Sequence, residues 1–134
     1  MHRKLMAILC GALMLPSLAF THHSFAMFDF SKEITVAGEV KEFLWRNPHL
    51  HILMNVSDGK GGVVQYDIEG GTPNNQRRNQ GWSGTTLKPG DKISVVIRPL
   101  KNGDPGGNLI RATWADGKPV GNPPAPAGAR GGGN

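Results

Sequence analysis

The sequence predicts an all-β fold, a small five-stranded OB-like barrel with one short helix between strands 3 and 4. Three observations predict it. From Ile34 to Trp114 apolar residues recur with period two rather than 3.6, the spacing of half-buried strands. Turn-forming clusters divide this stretch into five runs, and five short strands with one apolar face each are best closed into a barrel, which removes exposed edges. The one interruption, residues 72–82, begins like a helix. A fragment of a β-sandwich is the alternative architecture.

In the first run Ile34, Val36, Gly38 and Val40 alternate with Thr35, Ala37 and Glu39. Beyond Lys41-Glu42 the apolar phase moves to Phe43 and Trp45, which predicts a bulge or bend in a long, glycine-bearing first strand. Asn47-Pro48 shapes the approach to the second strand, where Leu50, Ile52, Met54 and Val56 face inward and His49, His51, Leu53 and Asn55 face outward. A turn at residues 57–62 follows. In the third run Val64, Tyr66 and Ile68 point inward, and Gln65, Asp67 and Glu69 outward. Matching the inward faces pairs Val56 with Val64 and Ile52 with Ile68, which sets His51 opposite Glu69 and Leu53 opposite Asp67. Thr72 is placed to cap a helix with Pro73 at its first position. Lys88-Pro89-Gly90-Asp91 turns the chain into Ile93, Val95 and Ile97. The last run reads Ile110, Ala112 and Trp114 and ends at Asp116-Gly117. Trp45 and Trp114 are expected in the core or on its rim.

Met1-His2-Arg3-Lys4, the apolar residues 5–15 and Pro16-Ser17-Leu18-Ala19 have the three-part pattern of a secretory signal peptide. Residues 1–21 are therefore expected to be a leader cleaved after 19 or 21, and the protein to be periplasmic. The apolar run is shorter than the ~20 residues that span a bilayer, and no other segment approaches that length. Cys10 lies inside the leader, preceded by bulky Leu9 and by little apolar sequence, which argues against acylation. The mature chain then carries no thiolate, so a transition-metal site must use His, carboxylate, Met or backbone nitrogen. Without Arg3 and Lys4 the formal charge of +5 becomes +3, and apart from Arg77-Arg78 the basic residues are scattered. That pattern, and the compartment, argue against nucleic acid as a partner. Residues 22–117 are expected to form the barrel domain. Residues 118–134, rich in Pro, Gly and Ala, are expected to be a disordered tail.

His22-His23-Ser24-Phe25-Ala26-Met27-Phe28-Asp29, Gly38-Glu39-Val40 and Trp45-Arg46-Asn47-Pro48-His49 resemble an uncharacterised family of small secreted bacterial proteins. Ile68-Glu69-Gly70-Gly71, Arg78, Gly81-Trp82, Leu87-Lys88-Pro89-Gly90-Asp91 and Arg98-Pro99-Leu100 continue the likeness over most of the mature chain. The Gly-x-Val and Gly-Asp-x-Ile-x-Val segments are similar to those of periplasmic bacterial OB-fold proteins. The resemblance implies a fold and a compartment, and no activity.

Four of the five histidines lie beyond residue 21 and fall in two pairs, His22-His23 and His49-Leu50-His51. Cleavage after Ala19 places His22 third from a free amine, where amine, two backbone nitrogens and imidazole suit square-planar Cu(II) or Ni(II). Cleavage after Thr21 makes His22 the terminus, whose amine and ring chelate one copper. The plain alternative is that a histidine near a cleavage site lands in such a position by chance. His49 and His51 share one strand face; Glu69, opposite His51, is expected to fix that ring's tautomer and raise its basicity, with Asp67 as a further carboxylate on the same face. The alternative there is an ordinary cross-strand His–Glu hydrogen bond on a solvated face. Met27 offers a thioether for Cu(I), whereas Met54 points into the core.

Arg77, Arg78 and Trp82 are a candidate ligand or partner patch, although packing of Trp82 on the barrel mouth is the favoured reading of that residue. No phosphate-cradling loop, Ser-His-Asp arrangement or cysteine nucleophile is present, so no catalytic residue and no enzyme are expected. The sequence points to a secreted binding protein that takes a copper-like ion through His22, His23, His49 and His51, for sequestration or delivery, with copper as the one cofactor. The competing reading is a metal-free OB-fold module that binds an envelope protein or a small ligand.

Overall fold

The computed structural model describes residues 25–122. The expected leader (residues 1–21), the expected ligands His22 and His23, and the chain beyond Asn122 lie outside the described residues. A 3-10 turn at Phe25–Met27 precedes strand β1 (Ile34–Leu44), then β2 (His51–Ser57), β3 (Val63–Glu69), helix α1 (Pro73–Gln80), β4 (Lys92–Pro99) and β5 (Gly106–Trp114). The strands close in the order β1-β2-β3-β5-β4. This is the OB-like layout that the spacing of apolar runs predicts.

β1 is long enough to serve two neighbours. Its first half pairs antiparallel with β4, from Ile34 opposite Ile97 to Glu39 opposite Lys92, and its second half with β2, from Glu39 opposite Asn55 to Leu44 opposite His51. The changeover needs a bend. Gly38 supplies it: a Cβ there would collide with the carbonyl oxygen of Asn55. The predicted bulge follows immediately, where the register shifts between Val40 and Glu42. Lys41 is the extra residue, and beyond it Phe43 stands opposite Ile52.

β2 and β3 pair in the expected register, with His51 opposite Glu69, Leu53 opposite Asp67 and Met54 opposite Tyr66. β3 closes the barrel only through a short parallel contact with β5, Asp67–Glu69 beside Gly106–Asn108. Its first residues lie beyond that contact, so Val64, placed inward by the alternation, is 37% exposed. In β5 the expected inward residue Ile110 gives way to Leu109. The register against β4 shifts between Val96 and Ile97, so that Leu109 and Arg111 face consecutive residues and Ile110 is the extra one. Leu109 packs on the core. That core comprises Val36, Val40, Leu50, Ile52, Met54, Ile68, Trp82, Leu87, Ile93, Val95, Ile97, Ala112 and Val120.

α1 occupies the predicted slot. Thr72 caps it, its hydroxyl accepting from Asn75 N at 3.2 Å, and Pro73 stands at the first turn. Gly81, at φ 65°, ends it in the left-handed conformation that glycine adopts without penalty.

The expected boundary at residue 118 is corrected by the structure. Trp114 N donates to Lys118 O at 2.8 Å, Val120 N to Ala112 O at 2.9 Å and Asn122 N to Gln80 O at 2.7 Å. Val120 is 1% exposed. One valine among prolines and glycines suffices because its amide extends the β5 ladder, its carbonyl accepts the Trp82 indole N–H at 2.8 Å and its side chain joins the core cluster. The remainder of the expected tail lies outside the described residues.

The segment before β1 is pinned to the β4–β5 connection. Lys101 N donates to Met27 O at 3.0 Å and Asp29 N to Pro99 O at 2.8 Å, with Phe28 bridging to Leu100 and buried. The Asp29 carboxyl is held down to about 2, first by the Ser31 hydroxyl and then by Lys32 and the Ser31 amide. Phe30 carries the Arg98 guanidinium over its ring at 5.0 Å.

A histidine and carboxylate cleft on the outer face of the barrel

Side chains in a strand alternate between faces, so the residues that bury Leu50, Ile52 and Met54 must turn His49 and His51 outward. The ladder continues past the formal start of β2: Leu50 N donates to Gly71 O at 3.1 Å, and Gly70 N to Leu50 O at 2.9 Å. His49 is thereby held on the same outer face as His51, at the mouth of the barrel. The two are partly buried along a cleft of about 540 Å³, lined also by Met27, Arg46, Asn47, Pro48, Asp67 and Glu69.

Each imidazole is held by a carboxylate, though not by the partner directly across. His51 stands opposite Glu69, but its Nδ1 bonds Asp67 Oδ1 at 2.7 Å. His49 Nδ1 bonds Glu69 Oε1. Both rings lean diagonally, two residues along β3 and in the same sense. The twist of an antiparallel pair brings such diagonals within reach of long side chains. The expectation that Glu69 supports His51 is therefore corrected: Glu69 supports His49, and Asp67 supports His51.

The two pairs differ in shelter. Glu69 is 14% exposed and Asp67 57%. Asn108 on β5 donates to Glu69 O at 3.3 Å and fixes that end of β3. Donating Nδ1–H to the Asp67 carboxylate raises the His51 pKa above its ordinary 6.5, against the opposing effect of burial, and the Asp67 and Glu69 charges add to the rise. Arg46, on the rim, works in the opposite direction.

With Nδ1 engaged, the nitrogen of each neutral ring that keeps a lone pair is Nε2. This is the arrangement by which carboxylates orient metal-binding histidines. Among the described residues, no group of three or more His, Cys, Asp or Glu is placed to hold a metal ion. Two oriented imidazoles are half of a site. Arg46 is the lining residue that reasoning from sequence passed over; its signal was its place directly before Asn47-Pro48-His49.

The other candidate patch separates. Arg77 and Arg78 are exposed on α1, but Trp82 is 1% exposed, with its indole N–H donated to Val120 O at 2.8 Å and its ring edge-on to Phe43. Trp82 is a core residue because the left-handed turn at Gly81 swings it under the helix, and it offers no surface to a ligand.

A family model described as a family of unknown function, DUF6152, matches residues 10–110. The chain belongs to this family. The DUF6152 match spans β1 to β4, the cleft and the first half of β5. No curated protein matches the sequence. Among solved structures, the chain is similar to the crystal structure of the mitochondrial single-stranded DNA binding protein Rim1 from S. cerevisiae. The identity is 11% and the TM-score 0.47, over 63% of this chain and 93% of that one. Among the described residues no helix is long and apolar enough to cross a membrane.

Proposed function

We propose that this DUF6152 member is a secreted, periplasmic binding protein that takes a copper-like ion in the His49/His51 cleft, for sequestration or delivery, and that it is not an enzyme. One observation carries the reading. Two imidazoles on one strand face are each held at Nδ1 by a carboxylate, leaving two Nε2 atoms in one cleft.

Two nitrogens do not complete a transition-metal site, and the reading draws the rest from His22 and His23. Met27 lines the cleft. His23 precedes it by four residues, a reach of at most roughly 14 Å of extended chain. The leader-like first 21 residues support the compartment. Imidazole suits both metals, and the order of divalent affinities at a nitrogen site favours Cu(II) over Zn(II). Nucleic acid is outside the proposal because Lys and Arg are scattered.

The competing reading is a metal-free module for an envelope protein or small ligand. Its support is that each imidazole is already satisfied by a carboxylate.

Protein recovered after native secretion, with its amino terminus sequenced, separates the two when titrated with Cu(II) under EPR. A nitrogen-rich signal, and an affinity reduced at least about tenfold in His49→Ala/His51→Ala, is the expected result. A spectrum without nitrogen couplings, or an affinity indifferent to those substitutions, removes the shared site. An affinity lost only on extending the terminus identifies a simple terminal chelate.

A further inference from the structure

Met27 brings a thioether to the cleft from the 3-10 turn. It is 37% exposed beside two carboxylates, yet its backbone is fixed on both sides, by the Lys101 amide at its carbonyl and by buried Phe28 next in the chain. A thioether on a pinned backbone borders the same cleft as both histidines, and it also borders the adjoining cavity with His51, Asp67 and Glu69. Among the described lining residues the Met27 thioether is the soft donor, beside borderline imidazoles and hard carboxylates.

From this placement we infer that Met27 is a ligand of the cleft, joining Nε2 of His49 and His51 in a sulfur and nitrogen set that selects Cu(I). The inference rests on the metal reading above and deepens it. A thioether is a poor ligand for zinc and a good one for Cu(I), so the set discriminates by softness as well as by geometry. Beyond residue 21 the sequence contains two sulfur atoms, in Met27 and Met54, and Met54 is fully buried in the core. Any copper–sulfur contact in the mature protein therefore reports on Met27.

The test is anaerobic competition of the secreted protein with a colorimetric Cu(I) chelator, together with X-ray absorption at the copper edge. The wild type is expected to show one sulfur scatterer. Met27→Leu, which preserves size at an exposed position, is expected to lose that scatterer and weaken Cu(I) binding about tenfold. The circular dichroism spectrum should stay as in the wild type, and Cu(II) affinity should fall less than Cu(I) affinity, because the harder ion gains less from a thioether. Unchanged Cu(I) affinity in Met27→Leu, while His49→Ala/His51→Ala loses it, overturns the sulfur ligand and leaves the histidine site standing. Absence of any copper binding by the wild type overturns both.

Discussion

The Asp67–His51 hydrogen bond couples the cleft to pH. The folded protein favours the protonated ring, so the pair's contribution to stability is full below 6.5 and is lost as pH rises through the raised folded value. With Asp67 more than half exposed, the contribution is small. In the metal-free protein, NMR should place the His51 midpoint above 6.5, and Asp67→Asn should bring it down; a midpoint that ignores the substitution counts against the pair. Metal and proton compete for the same imidazole, so copper uptake should weaken as the solution is acidified. The identities and face of His49, His51, Asp67 and Glu69 were legible in the sequence from alternation alone. Which carboxylate serves which histidine was not, because alternation fixes the opposite residue and the twist decides the diagonal.

β1 shows how one element organises a barrel. It changes partner at Glu39, and the close approach of β2 to Gly38 leaves no space for a side chain. Gly38→Ala should destabilise the fold by about 1–3 kcal/mol through overpacking against a backbone that cannot retreat. Equilibrium urea unfolding measures it, and a loss below about 0.5 kcal/mol, within the range of ordinary surface substitutions, would mean that the bend relaxes. The bulge after Val40 was visible as a phase shift in the apolar pattern. The one in β5 was not: Leu109 and Ile110 are both apolar, and the choice between them is made by registration against β4.

At the scale of the molecule, the barrel is sealed by a segment that composition alone assigns to a tail. Val120, Trp82 and Ala112 join the segment after β5 to the helix turn and to β5. Val120→Ala should cost about 2 kcal/mol, from two lost methyl groups and the space they leave. Thermal or urea unfolding tests this, and a chain ended at residue 117 should lose more stability than one ended at 122. Equal stability of the two shortened chains would show that the segment only lies on the surface.

Strand count, helix slot, β2–β3 register and the outward face carrying His49 and His51 were all readable from the residues in order. All of these follow from local periodicity and turn chemistry, which neighbouring residues encode. That Met27 borders the histidines, that Asp67 holds His51 and that Val120 completes the core emerged with the folded barrel. These depend on contacts between residues distant in the chain, which no periodicity records.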